Sequence, residues 1–174
     1  MDSIKLENSH LVQVNTSTRS IWRGNEESEI VLNVKVDKRF LPSKDTATKS
    51  TTTATTANIP KKQSSSSDND DNHNNSNHCC YRLFAYIENY KTKDMHFNQM
   101  NGVKLKFKNN TDNTDQASIG IKAKELYHTL FVSIHKNSFI DGDELRVIVE
   151  AIPLFPNRSQ VIFGSSHPIS YVKG

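Results

Sequence analysis

Residues 102–109, GVKLKFKN, alternate apolar and charged side chains without a break. That pattern suits one backbone only: an extended strand, whose successive side chains point to opposite faces. A helix would spread Val103, Leu105 and Phe107 around its circumference and bury lysines with them. The same period of two recurs along the chain. It places Ile30, Leu32, Val34 and Val36 on one face of EIVLNVKV, and Tyr81, Leu83, Ala85 and Ile87 on one face of YRLFAYIE. Leu130, Val132 and Ile134 alternate in TLFVSIHK, and Leu145, Val147, Val149 and Ala151 in ELRVIVEAI. SQVIFG and PISYVK read as two more strands, and HLVQVN near Leu11 as an edge strand. NNTDNTD, DGD, PLFPNR and GSSHP between them are turn material, with Gly142 supplying a positive φ in a hairpin. About eight short strands at this spacing predict an antiparallel sandwich or barrel. IKAKELYH, residues 121–128, has a helical look over a single turn.

Residues 43–78 break the pattern. They run through Thr-rich, Ser-rich and Asn/Asp-rich tracts, and Ile59 is their one large apolar side chain. Such a segment buries too little surface to offset chain entropy, so a disordered insertion is expected inside one β domain spanning residues 1–174. A surface loop accommodates such length, because closure entropy grows slowly. Mean hydropathy is −0.65 over 174 residues, as expected if part of the chain lies outside the core.

Cys79 and Cys80 are adjacent and build no disulfide framework. The opening MDSIKLENSH lacks the apolar run of a signal peptide, and no apolar run approaches membrane-spanning length. An intracellular protein, nuclear or cytoplasmic and not membrane-bound, is the expectation.

His73, His78, Cys79 and Cys80 lie within eight residues, but their spacing is irregular and no second ligand pair follows, so no metal or cofactor is expected. Asp141–Glu144, DGDE, lacks the later oxygen ligands of a calcium loop. His96, His128, His135 and His167 accompany many hydroxyls, yet no G-x-S-x-G elbow and no glycine-rich phosphate loop occur. The chain is therefore expected not to be an enzyme and to take no small-molecule substrate. The formal net charge is +3, and residues 79–174 carry the whole excess. Lys104, Lys106 and Lys108 share one strand face, and Lys91 and Lys93 follow the preceding strand. A lysine surface of this kind suits a phosphate backbone, and it equally suits a solvated sheet.

The closing GDELRVIVEAIP and GSSHPISYVKG carry a resemblance. Residues 121–174 resemble the Rel, Runt, p53 and velvet group of immunoglobulin-like transcription factor domains. In that group a G-x-x-L-R-h-x-V line (h apolar) is followed by a loop and S-x-P-I-x-V. The resemblance implies an immunoglobulin-like β-sandwich that binds DNA through loops at one end. The Arg-rich recognition loop of Rel proteins and the zinc ligands of p53 have no counterpart here. Arg19, Arg23, Lys91, Lys93, Arg158 and Lys173 are the basic residues at predicted corners.

Two functions follow as expectations. The first is duplex DNA binding in transcription regulation, with Lys91, Lys93, Lys104, Lys106 and Lys108 on phosphates and Arg158 at a corner. The alternative is a protein-protein interaction module using a sheet edge, or an exposed face bearing Phe131, Ile148 and Ile152.

The alternation makes a test. Leu105→Asp is expected to abolish cooperative thermal unfolding, because an unpaired buried charge costs several kcal/mol, comparable to a small domain's whole stability. Lys106→Asp is expected to unfold near the wild-type midpoint. Equal shifts for the two would refute the strand.

Overall fold

The computed structural model describes residues 4–22, 24–37, 39, 79–108, 110, 115–122, 125–154 and 160–172. The insertion expected over residues 43–78 lies outside these, as do Arg23, His73, His78, Arg158 and Lys173. Among the described residues there are twelve strands in two sheets and no helix.

The smaller sheet has the order β2 (Val12–Asn15), β4 (Glu27–Val36), β9 (Tyr127–His135), β7 (Val103–Phe107), every neighbour antiparallel. In the larger sheet β10 (Glu144–Pro153) is central and pairs along its length with β5 (Cys79–Asn89). Beyond β5 lie β6 (Met95–His96) and β8 (Ser118–Lys122). On the other flank of β10, β11 (Gln160–Ser165) and β12 (Ile169–Val172) follow one another along the same edge. Ser166 fills the gap between them. Its hydroxyl accepts the Val147 N–H at 3.0 Å and its own N–H donates to Val147 O at 2.9 Å, so the ladder continues across the break.

The period-two faces meet as expected. Ile30, Leu32, Val34 and Val36, Tyr81, Leu83, Ala85 and Ile87, and Val103, Leu105 and Phe107 all belong to one buried cluster between the sheets. Burying that shared face drives the layering.

Four strands escaped the sequence reading: β1 (Ile4–Glu7), β3 (Ser20–Trp22), β6 and β8. Each is short, and none shows a sustained alternation. β1 pairs parallel with β11, and β3 parallel with β12, so the sheets are not wholly antiparallel. The parallel partners are far apart in the chain, and residues 8–19 carry it from β1 to β3 by way of the smaller sheet, as β2. The supposed helical turn at residues 121–128 is divided between the end of β8 and the start of β9. The DGD turn has its positive φ at Gly142, 91°, but it joins β9 of one sheet to β10 of the other and is no hairpin.

The expected exposed face is also corrected. Ile148 is buried, and Phe131 and Ile152 are half-buried. Ile148 stands opposite Tyr86, which packs with Phe84 and Phe97 at centroid separations of 5.8 and 5.5 Å. Those rings lie over the outer face that alternation alone would leave open.

Gly164 marks the tightest point. A Cβ there would sit 1.9 Å from the Val12 carbonyl oxygen. The backbone of β2 therefore crosses directly over β11, which only glycine permits. Gly164→Val is expected to lower stability by about 3 kcal/mol, seen as a shifted denaturant midpoint at unchanged slope. Wild-type stability in that variant would overturn the packing described.

Candidate functional site

The predicted lysines divide between two surfaces. Lys104 and Lys106 project from β7 onto the outer face of the smaller sheet, and both are exposed. Lys108 follows that strand, and its N–H donates to Thr129 O at 2.8 Å. Lys91 and Lys93 lie in the turn after β5, in the larger sheet. Lys91 Nζ donates to Gly142 O at 3.1 Å, and Lys93 Nζ stands 4.4 Å from the Tyr90 ring centroid. Arg158 is outside the described residues.

The free edge of β7 is closed. Leu105 N–H donates to Asn98 Oδ1 at 2.9 Å, Val103 O accepts the Gln99 N–H at 2.7 Å, and Phe107 N–H donates to Gln116 O at 3.0 Å. A partner strand finds these ladder groups occupied there, so the face rather than this edge of the sheet is open.

The second surface is one end of the two layers. β5 ends at Asn89 opposite the start of β10, and β9 ends at His135 opposite the start of β4. β7 starts, and β3 and β12 finish, at the same end. There Trp22, Tyr90, Met95, Met100, Ile140 and Val172 are each between 39% and 69% exposed. Local geometry holds them in place. The Trp22 ring lies against Gly24, where a Cβ would come within 2.7 Å of it. The turn bearing Ile140 is tied by Ile140 N–H to Asp143 Oδ2 at 3.0 Å and by Gly142 N–H to Tyr171 O at 2.9 Å. Tyr90 is flanked by Lys93 and by the Arg146 guanidinium, 4.9 Å from its centroid. Beside them Lys136 hydrogen-bonds Glu26 at 2.9 Å and holds its carboxyl below the ordinary value.

The sequence analysis singled out Lys91 and Lys93, which lie near this end, but not Trp22, Met95, Met100, Ile140 or Val172. Trp22, the single tryptophan, lies in a stretch with no alternation, and Ile140 precedes a turn. Neither position shows its exposure until the strand ends are brought together.

The charged groups on the outer face of the larger sheet pair mostly with one another. Glu150 is 4% exposed, accepts the Tyr86 hydroxyl at 2.8 Å and pairs with Lys5 at 2.9 Å. Burial, then the Glu150 hydrogen bond, pushes the Tyr86 phenol well above its ordinary value, so it stays a donor. Arg146 donates to Glu88 at 2.7 Å, while its buried Nε has no hydrogen-bond partner among the described residues.

Among the described residues no helix is long and apolar enough to cross a membrane. No protein-family model matches the chain, and no curated protein does. Among solved structures it is similar to a family 123 glycoside hydrolase from Clostridium perfringens, described in connection with glycolipid glycan hydrolysis. Identity is 9% and the TM-score 0.37, over 91% of this chain and 23% of that one. The chain thus spans about a quarter of the length of the enzyme it matches. The expectation that the chain is not an enzyme is corrected by this finding: the similar structure is an enzyme's, and the lack of a sequence motif does not exclude catalysis. At that TM-score the likeness assigns no activity and no residue.

Glu150 supplies a test of the outer-face network. Lys5→Met removes the one cation paired with it among the described residues and is expected to cost about 1–2 kcal/mol, discounted because Lys5 is half exposed. Adding Glu150→Gln should recover most of the loss in chemical denaturation. No recovery would mean that Lys5 acts through packing alone.

Proposed function

We propose that the chain is a protein-recognition module of immunoglobulin-like topology that docks a partner protein on the strand-end surface bearing Trp22 and Ile140. The topology is supported by strand order. β2-β4-β9-β7 corresponds to the A-B-E-D sheet of an immunoglobulin fold, and β11/β12-β10-β5 to its G-F-C sheet. The intracellular setting, nuclear or cytoplasmic, belongs to the same proposal.

One observation carries the reading. Among the described residues, six of the ten exposed large apolar side chains lie at one end of the layers, contributed by separate segments. Single exposed apolar residues are ordinary, whereas a group rimmed by charges has the anatomy of an interface. Trp, Tyr and Met are the enriched types at interface cores, and the strand ends and turns holding these are hydrogen-bonded before any partner arrives. Duplex DNA is the rival partner. Its support is weaker, because the proposed phosphate contacts lie on two surfaces and Lys91 and Lys93 already engage Gly142 and Tyr90.

Affinity capture with Trp22→Ser/Ile140→Ser is expected to lose a partner that wild type and Lys104→Ala/Lys106→Ala both retain. In parallel, fluorescence anisotropy with random duplex DNA should show no salt-dependent binding. A log K against log salt slope of about −3.6, as for about four phosphate contacts, made shallower by Lys104→Ala/Lys106→Ala, would replace this reading with DNA binding.

A further inference from the structure

The outer face of the smaller sheet repeats one arrangement across its strands. Register places Glu29, Ser133 and Lys104 in one row and Val31, Phe131 and Lys106 in the next. All six point away from the core. Among the described residues Glu29, Lys104 and Lys106 have no ion pair and no side-chain hydrogen bond, although acid and base share a row. They stand on either side of β9, about 10 Å apart at two strand spacings. A groove of about 200 Å³ runs between them, lined by Glu29, Lys104, Lys106, Phe131 and Ser133.

We propose that this face is the self-complementary interface of a two-fold dimer whose axis runs along β9. Turning the face about that axis lays β7 of one copy over β4 of the other. Lys104 then meets the partner's Glu29, and the reverse contact forms by symmetry. Phe131 meets the partner's Phe131 on the axis, and the aliphatic stem of Lys106 covers the partner's Val31. The other in-plane axis, perpendicular to the strands, would set Lys104 against the partner's Lys106, so the charges select one docking.

Facing sheets pack about 10 Å apart with their strands aligned, a gap that a lysine and a glutamate reach across together. The face is about 19 Å wide and about 30 Å long, so two copies bury roughly 1,000 Å² in all, the lower range for a specific interface. Closure of the β7 edge by Asn98 and Gln99 leaves that edge unavailable for strand addition, which favours a closed pair over a growing chain.

Sedimentation of the full chain over a wide concentration series tests this, with circular dichroism confirming that each variant is folded. The wild type is expected to show a monomer–dimer equilibrium that weakens as salt rises. Glu29→Lys and Lys104→Glu are each expected to weaken it by about tenfold or more, and the double exchange E29K/K104E to restore most of the loss, as coupling across one contact requires. Trp22→Ser should leave it unchanged, separating this interface from the strand-end surface. A wild-type monomer at every concentration, or a double exchange no better than the singles, would overturn the proposal.

Discussion

The contact of the Val12 carbonyl with Gly164 sets the path of residues 4–22. β1 lies along β11 in the larger sheet, β2 belongs to the smaller sheet, and β3 returns to lie beside β12. A chain that changes layer twice within twenty residues must cross a strand at backbone distance. The missing side chain of Gly164 is what makes room for it. Two other features depend on that path. Lys5 on β1 reaches the buried Glu150, and Trp22 on β3 is delivered to the strand-end surface.

The two outer faces have opposite electrostatic character. On the larger sheet Tyr86 and Lys5 pair with Glu150, and Arg146 with Glu88, leaving only the buried Arg146 Nε of this group without a partner among the described residues, and aromatic rings cover the apolar positions. On the smaller sheet Glu29 and Lys104 are held on strands too far apart to meet, with Ser133 of β9 between them. A charge with no partner inside the chain is free to select one outside it, which is the physical basis of specificity at an interface. The strand-end surface differs from both. Its apolar residues come from strand ends and short hydrogen-bonded turns, so ordering them on binding costs little.

Alternation over Val103–Phe107, and the matching runs in β4, β5, β9 and β10, determined the strands, their inward faces and the all-β character. Burial of a period-two face is a local consequence of sequence, so those positions were legible residue by residue. Gly142 was legible for the same reason, since a turn's φ depends on the residue in it. Tertiary structure alone decided the rest. Which strands are neighbours is a long-range matter, and it separated Lys91 and Lys93 from Lys104 and Lys106 by assigning their strands to different sheets. It also buried Ile148 under a ring from β5 and gathered Trp22, Ile140 and Val172 from distant segments into one end of the fold. Alternation specifies which way a side chain points from its own strand, but exposure and proximity depend on what other strands bring alongside.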